Sequence, residues 1–334
     1  MKKIIIRRLL MMILVIFGVT LIVFLLSHII PGDPARMMVG QRASNETLIN
    51  VRKQLGLDKP VLVQYLIYMK NLLSGDLGTS IRTQQPVVSD LAAYFPATLE
   101  LVLYAFLIAL VVGIPLGVLT SLKQNTVTDY LGRIFCIGGV SIPAFWGGII
   151  LILIFYSKLN LLPSSGRLAL GMTFNTKITG LITIDSLLTG NLGVFKDSLR
   201  HIILPALVLS YAQLATITRQ VRSSMIEVLN QEYIKTARAN GIKEKFLIVS
   251  YALRNALVPT ITVVGLSLGG LLGGAVVTET VFNWPGMGKY VVDSISFLDF
   301  PSIMGFTVVI VIGYMVINLI VDILYMILNP QIRG

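Results

Sequence analysis

The sequence predicts an all-α integral membrane protein with about six transmembrane helices. Hydrophobic residues make up 55% of its 334 residues and charged residues only 13%, and the mean hydropathy is +0.82, which is outside the usual range of soluble domains. Several apolar runs are about twenty residues long, the length needed to cross a bilayer as a helix. The Lys and Arg residues, which give a net charge of +11, lie mainly between those runs.

We predict six spans within a single membrane domain that covers residues 1–334. Five are long and apolar, whereas the fourth is shorter and contains Pro205 and several polar residues. The predicted spans cover about residues 9–30, 98–122, 134–156, 201–218, 255–281 and 301–325. Basic residues precede the first span, as in a signal peptide, but its apolar stretch is too long for a signal core and no small-residue cleavage site follows. We therefore expect this span to be retained as a helix.

The positive-inside rule sets the predicted orientation. Basic residues cluster at the N-terminus, in the segment Lys123–Arg133 and in the loop after the fourth span, residues 219–254. Two predicted spans separate each of these segments from the next, so all three lie on the same side of the membrane. We assign that side to the cytoplasm, together with both chain termini. The loops 31–97 and 157–200 then lie outside. A nucleic-acid-binding function is disfavoured because the cations are not gathered in a separate soluble domain.

The first outside loop contains two predicted helices. Residues Asn45–Leu55 and Pro60–Ser74 carry apolar side chains at helical spacing, with Gly56 between them as a stop. We expect the two helices to lie on the outer membrane surface or over the mouth of a pore. The alternative is that they form a docking platform for an extracellular binding protein. The second outside loop has an apolar stretch, Leu181–Leu188, that is too short to span.

The loop 219–254 carries the most informative pattern. Its apolar side chains recur every four residues at Met225, Leu229, Tyr233 and Ala237, which predicts an apolar ridge on a helix. Gly241 follows at the position where a left-handed turn would end that helix, and a second helix is predicted over residues 243–253. A small-residue helix of this kind can bind in a groove on another protein. A basic amphipathic loop on anionic lipid headgroups would have a similar pattern, so the pattern leaves both open.

The same loop resembles the EAA loop of importer-type ABC transporter permeases, which joins a membrane pore to a separate ATPase. In the peptide branch of that family, a Y-x-x-T-A-R-A-x-G run precedes A-L-R-N-A-x-x-P. This chain has both runs, as Tyr233, Thr236, Ala237, Arg238, Ala239 and Gly241, then Ala252, Leu253, Arg254, Asn255, Ala256 and Pro259. Lys235 stands where other branches carry an acidic residue. Further stretches that resemble this branch are Ile30–Pro34, Leu55–Pro60, Gly75–Gly78, Thr278–Gly286 and Asn329–Pro330.

The resemblance is to the first permease subunit of dipeptide and oligopeptide importers of the bacterial cell (inner) membrane. It implies a permease that carries no cofactor, pairs with a homologous second permease, and rests on two ATPase subunits that bind ATP and Mg. It also implies a substrate-binding protein that delivers the cargo, a dipeptide or short oligopeptide; nickel and glutathione importers share this permease type. The residues implied to couple to the ATPase are Tyr233, Lys235, Thr236, Ala237, Arg238, Ala239 and Gly241. The chain itself contains no phosphate-binding G-x-x-x-x-G-K-[ST] loop.

Glycines in two spans are spaced for close helix packing. Gly113 and Gly117 form one small-xxx-small pattern, and four glycines in the fifth span form two overlapping ones: Gly269, Gly270, Gly273 and Gly274. We predict tight packing for these four, with a gating hinge as the alternative. The sequence predicts no catalytic or metal site and does not identify the substrate pathway. A secondary transporter and a membrane-embedded enzyme are the other classes considered, but paired charges within spans, matched interrupted helices and an intramembrane catalytic set are not evident.

Overall fold

The structure is a computed structural model that describes residues 2–29, 34–40, 44–54 and 56–328. That part of the chain is helical, apart from loops and an isolated bridge between Thr79 and Pro86. Its helices are α1 Lys2–Ile29, α2 Pro34–Val39, α3 Asn45–Gln54, α4 Val61–Leu73, α5 Val87–Leu122, α6 Val127–Ser141, α7 Ala144–Leu151, α8 Ile182–Leu188, α9 Leu192–Leu229, α10 Glu232–Ala239, α11 Glu244–Phe246, α12 Arg254–Val281, α13 Met287–Ser296 and α14 Phe300–Leu328. Ile30–Asp33, Leu55 and the Asn329–Pro330 motif lie outside the described residues.

The described chain contains the membrane spans that the sequence predicts. Five helices are long and apolar enough to cross a membrane, and the number is six if one bent helix pair counts as a single span. They are Leu10–Ile29, Val87–Leu122, Leu192–Leu229, Glu244–Val281, Phe300–Ile323 and the bent pair Val127–Ser141 with Ala144–Lys158. The predicted class, an all-α membrane protein with about six spans, is confirmed.

The third predicted span, 134–156, is not one straight helix. α6 ends at Ser141, and the next helix runs from Ala144 to Lys158 at an angle of 109° to it. Ile142 and Pro143 are extended between the two, with ψ of 121° and 133°. The residue before a proline is disfavoured in the helical region because the proline ring clashes with its backbone. Pro143 therefore breaks the helix that the apolar run alone would predict.

The fourth span, which the sequence marks as the weakest, belongs to the 38-residue helix α9. Asn191 caps its start by accepting a hydrogen bond from the Val194 amide at 3.2 Å. The most apolar stretch of α9 is 61% buried inside the protein, compared with 11–39% for the other four single-helix spans. A helix that faces protein can carry polar side chains, and Thr218, for example, donates a hydrogen bond to the Gly113 carbonyl. The low hydropathy of this span reflects its burial against protein.

The loops on either side of α9 are shorter than predicted. α9 takes the last nine residues of the predicted loop 157–200 and the first eleven of the loop 219–254. The helix predicted over 243–253 is not separate either, because it continues through a π-helical segment, Leu247–Leu253, into α12. Helices α9 and α12 thus reach almost to the short helix α10, which lies between them in the chain.

The chain divides into two compact units, of which the second comprises Ala97–Trp284 and Val316–Gly334. In this unit α9 packs against α6, α8 and α12. A Cβ atom added at Gly117 would lie 2.8 Å from the Thr218 carbonyl oxygen, and one at Gly139 would lie 2.7 Å from the Ala215 Cβ. Glycine at these positions lets the helix backbones approach each other closely, as membrane helices commonly require.

In the second unit, a buried carboxylate of α5 is bonded to the first turn of α8 and to the loop before it. Glu100 accepts hydrogen bonds from the Thr183 amide at 2.8 Å and the Thr183 hydroxyl at 2.7 Å, and it pairs with the Arg167 guanidinium. That guanidinium also lies over the indole ring of buried Trp284, 5.6 Å from its centroid. A buried charge is tolerated when its partners neutralise it and satisfy its hydrogen bonds, which is the case for Glu100.

A second carboxylate, Asp185 of α8, organises the loop before that helix. It accepts hydrogen bonds from the Thr179 hydroxyl at 2.6 Å and from the amides of Ile178, Thr179 and Gly180. Burial alone would raise the pKa of Asp185, but these hydrogen bonds outweigh it and hold the pKa below its ordinary value of 3.8. The short apolar stretch predicted not to span is thus a helix fixed by its own loop.

The first unit comprises Met1–Pro96 and Pro285–Met315. Both helices predicted in the loop 31–97 are present, as α3 and α4, and Gly56 between them has the left-handed φ of +67°. Tyr65 of α4 is buried in a cluster with Phe24 of α1 and Met304 of α14. The helix α13 was not predicted. Its Tyr290 stacks on Tyr94 and packs with Val87, Leu91 and Met287.

Candidate functional site

The segment that the sequence singles out folds as the eight-residue helix α10, followed by a tight turn. The Gly241 amide bonds to the Arg238 carbonyl at 3.0 Å and the Ile242 amide to the Ala237 carbonyl at 3.3 Å. These two bonds form a Schellman motif, which needs a left-handed residue after the helix cap. Gly241 supplies it with φ of +77°, so the turn predicted at this glycine is present.

One face of α10 is buried against the rest of the second unit. Ile234 has no exposed surface and Ala237 is also buried. They share a core cluster with residues of α9 and of the π-helical start of the fifth span, including Met225, Leu247 and Ala252. The short helix is therefore fixed to the ends of two long membrane helices.

The predicted apolar ridge is partly wrong. Met225 and Ala237 are buried as expected, but Tyr233 is 44% exposed and Ile234 takes its place in the core. The four-residue spacing fails because α9 ends at Leu229 and α10 starts only at Glu232, so the ridge crosses a break between two helices. An i, i+3 pattern counted from Ile234 to Ala237 would have identified the buried face.

The opposite face of α10 is open to solvent and carries most of the residues predicted to couple: Tyr233, Lys235, Thr236, Arg238 and Ala239, with Gly241 beyond the helix end. Ala237, which was also predicted to couple, lies instead on the buried face. Lys235 pairs with Glu232 at 2.8 Å, and the Thr236 hydroxyl bonds to the Glu232 carbonyl at 3.0 Å. Both contacts are local to α10 and exposed. They leave these side chains free to contact a partner without disturbing the buried face.

An ion pair that the sequence did not reveal spans the glycine turn. Arg238 donates two hydrogen bonds to Glu244, from Nε at 3.1 Å and from Nη2 at 2.7 Å. The Glu244 carboxylate raises the pKa of Arg238 above its ordinary value, so the guanidinium stays charged. A bidentate Arg–carboxylate pair has a fixed geometry, and here it links the end of α10 to the start of the next helix.

A second link connects α10 to the fifth span. The Asn255 amide nitrogen donates to the Tyr233 hydroxyl at 3.0 Å and to the Tyr251 carbonyl at 3.0 Å. Both Tyr233 and Asn255 belong to the sequence runs on which the family resemblance rests. Twenty-two residues separate them in the chain, so only the folded structure brings them together.

The glycine cluster of α12 is less uniform than its spacing indicates. An added Cβ would lie 2.9 Å from the Gln213 amide nitrogen at Gly270 and 3.3 Å from Leu209 at Gly274, whereas Gly273 faces open space. Gly269 is buried. The closest packing on this helix is instead at Gly265, where an added Cβ would overlap Val321. Whether the cluster packs or acts as a hinge stays a prediction.

The arrangement of the site favours mechanical contact with another protein. Among the described residues, no group of three or more His, Cys, Asp or Glu side chains could hold a metal ion. A helical chain with multiple membrane spans, and with one short exposed helix fixed between two of them, is typical of a membrane transport component.

Comparison with known proteins identifies the family. The model of the binding-protein-dependent transport system inner membrane component matches residues 113–334, and the model of the N-terminal part of such membrane components matches residues 1–102. The chain belongs to this family. It is therefore a multi-pass inner-membrane subunit of a transport system that works with a binding protein, and the family is one of transport permeases, not of enzymes.

Curated relatives match over nearly the whole chain. The probable D,D-dipeptide transport system permease protein DdpB of Escherichia coli (strain K12) is 52% identical over 97% of this chain and 95% of its own. The di/tripeptide transport system permease protein DppB of Pseudomonas aeruginosa (strain UCBPP-PA14) is 44% identical over 100% of this chain and 99% of its own. The glutathione transport system permease protein GsiC of Escherichia coli O6:H1 is 37% identical over 100% and 99%.

Proposed function

We propose that this chain is one of two permease subunits of an ATP-driven importer for dipeptides or short oligopeptides. Relatives that are 41–52% identical are named as dipeptide or di/tripeptide permeases, and their names support this class of cargo. Glutathione is the alternative cargo, because a relative at 37% identity is named for it; nickel is a further one. We expect the substrate-binding protein to supply most of the selectivity.

The partners in this proposal are a homologous second permease, two cytoplasmic ATPases that bind ATP and Mg, and the substrate-binding protein outside. Both chain termini and α10 lie on the cytoplasmic side. The distribution of Lys and Arg supports this orientation, because the segments rich in them alternate with the spans in the required order. The proposal keeps the chain as a single permease domain, with the pathway formed between the two permeases.

In this mechanism α10 transmits force between an ATPase and the membrane spans. The observation on which the proposal depends is that α10 exposes one face while its other face, at Ile234 and Ala237, is buried against two long helices. The ATPases close when they bind ATP and displace the exposed face. Because α9 and the helix Glu244–Val281 are each continuous from this cluster into the membrane, the displacement reaches the spans and opens the pathway outward.

Reconstitution of the full complex in vesicles tests the transport class. Uptake of a labelled dipeptide should require ATP and both ATPases, and it should survive collapse of the proton gradient. Uptake by this chain alone on a proton gradient would show a secondary transporter and refute the proposal. The cargo is identified separately, by measuring which dipeptides, oligopeptides or glutathione the substrate-binding protein retains.

A matched pair of variants tests the coupling role of the turn. Gly241→Val places a β-branched residue at φ +77°, which costs about 1–3 kcal/mol of backbone strain. Gly75→Val is the control, because Gly75 also ends a helix at positive φ, +81°, with nothing within 4 Å of an added Cβ. We expect Gly241→Val alone to lower co-purification with the ATPases, with membrane insertion intact in both. Equal co-purification in the two variants would contradict the coupling role.

A further inference from the structure

A basic cavity lies in the second unit, between α5, α6 and α9, and α10 contributes none of its lining residues. It has a volume of about 320 Å³, which is at the lower end of the range of about 300–1,000 Å³ for ligand pockets. Its walls come from the end of α5, the middle of α6 and the last third of α9. Its lining residues are Thr120, Gly132, Arg133, Cys136, Ile137, Thr218, Arg219 and Arg222. Three of these eight residues are cationic and none is acidic.

A buried carboxylate fixes two of the three arginines. Asp129, with no exposed side-chain surface, accepts from Arg222 Nε at 2.7 Å and Nη2 at 2.9 Å, and from Arg133 Nη2 at 2.5 Å. The Asn125 amide adds a bond at 3.1 Å. Each guanidinium has five N–H donors, so both keep donors beyond those that Asp129 uses. The carboxylate holds the two guanidinium groups side by side at the cavity wall.

The third arginine provides charge that Asp129 does not balance. Arg219 is exposed, and among the described residues it forms no hydrogen bond or ion pair. The three arginines carry +3 and Asp129 carries −1, so the site has a net charge of +2. The two threonine hydroxyls of the lining do not compensate, because both donate to helix carbonyls, of Leu116 and Gly113. The cavity therefore presents unused donors and unbalanced positive charge.

We propose that this cavity binds the phosphate of an anionic phospholipid headgroup. Arginine is suited to phosphate because its planar group donates parallel hydrogen bonds to two oxygens. The cavity also lies where such a headgroup is found. Arg133 directly precedes the apolar run 134–156 and Arg219 directly follows the run 201–218. These arginines therefore stand at the ends of apolar runs, where long basic side chains reach the membrane interface. Basic pockets between membrane helices bind anionic headgroups for these reasons.

Cys136 provides the means of testing the proposal. It lines the cavity, is buried, and is the single cysteine of the chain, so any reaction with a thiol reagent reports access to this one place. The full-length chain is reconstituted in vesicles of phosphatidylcholine with increasing mole fractions of phosphatidylglycerol. The rate of reaction of Cys136 with a neutral maleimide is then measured. We expect phosphatidylglycerol to slow the reaction, and the midpoint of thermal unfolding to rise with the same mole fraction.

Two variants separate the cavity from general surface charge. Arg219→Gln should require about fivefold more phosphatidylglycerol for half-maximal protection, equivalent to about 1 kcal/mol per cation. Lys123→Gln removes an exposed cation from the neighbouring α5–α6 loop, outside the cavity lining, and should behave as wild type. Arg219 is the residue to change, because loss of Arg133 or Arg222 would leave the buried Asp129 with too few partners.

The outcomes that would overturn the inference are distinct from those that test transport. If phosphatidylglycerol changes neither the reaction rate nor the unfolding midpoint, the cavity does not bind an anionic lipid. Equal effects of Arg219→Gln and Lys123→Gln would show nonspecific attraction to the surface. Protection by inorganic phosphate in phosphatidylcholine vesicles, at matched ionic strength, would show a free-phosphate site instead. Protection only on addition of the second permease would show a protein contact. None of these results depends on α10 or on the ATPases.

Discussion

The buried face of α10 gives the sharpest test of how this helix is held. Ile234 has no exposed surface and packs in the cluster that joins α10 to the neighbouring long helices. Ile234→Ala removes those contacts and leaves a cavity, which costs about 2–5 kcal/mol in a packed core. Isolated helices shorter than about 12–15 residues are marginal in water, and α10 has eight. The lost free energy therefore weakens the packing of α10 against its neighbouring helices.

The size of the effect follows from that free energy. A loss of only about 2 kcal/mol raises the population of the opened state about 30-fold. We expect hydrogen–deuterium exchange of the backbone amides of α10 to accelerate by at least that factor, while the central part of α9 exchanges as in wild type. Coupled uptake in the reconstituted complex should fall as well, because a loosened helix transmits less force to the spans.

A matched substitution controls for the change of residue type. Ile178 is 61% exposed, and Ile178→Ala should alter stability by no more than about 0.5 kcal/mol, with exchange in α10 unchanged. The reasoning is refuted if amides of α10 exchange at the same rate in Ile234→Ala and in wild type. It is also refuted if uptake falls equally in the two variants, since Ile178 lies far from α10 in the chain.

The remaining predictions concern stability. Gly265→Ala should lower the midpoint of thermal unfolding, through an overpacking cost of about 1–3 kcal/mol, whereas Gly273→Ala has open space and should leave it unchanged or raise it. Arg167→Gln should destabilise the second unit by about 3–5 kcal/mol, because it leaves the charge of Glu100 buried without its ionic partner. Asp185 has a lowered folded-state pKa, so its stabilisation is complete above its ordinary pKa of 3.8 and is lost as the pH falls through the lower folded-state value. The difference in unfolding midpoint between wild type and Asp185→Asn should therefore shrink as the pH is lowered below 3.8.

Each of these predictions has a result that contradicts it. Equal unfolding midpoints for the two glycine variants would show that α12 can separate from its neighbour at Gly265 without cost. If Glu100→Gln combined with Arg167→Gln is no more stable than Arg167→Gln alone, the penalty does not come from an uncompensated carboxylate. A constant difference between wild type and Asp185→Asn from neutral pH to pH 3 would mean that the loop bonds do not depend on the charge of Asp185.

The predicted spans show how far an apolar run can be interpreted. Five predicted spans fall on single long helices because crossing a bilayer requires about twenty apolar residues with satisfied backbone hydrogen bonds. The run 134–156 has the right composition but contains Pro143, and local backbone geometry divides it into two helices bent by 109°. The run 201–218 has a low hydropathy for a membrane span because its helix is buried against protein and can carry polar side chains.

In the coupling segment too, the sequence predicted some features, whereas others became visible only in the folded structure. Gly241 could be predicted to end α10, because a left-handed turn there requires glycine. The buried residue Ile234 was missed because the apolar spacing was counted across the short link between α9 and α10, where the helical repeat is interrupted. The partners Glu244 and Asn255 were missed because each meets α10 only after the chain turns back at the glycine.

The sequence by itself determined the class of protein, the number of membrane spans and the motif that identifies its family. These properties depend on composition, run length and local turn chemistry, which act over short stretches of chain. The tertiary structure alone decided which face of α10 is buried, which glycines pack closely, and that Arg133, Arg219 and Arg222 line one cavity. Those features depend on contacts between residues far apart in the chain, and no local pattern encodes the distance between them.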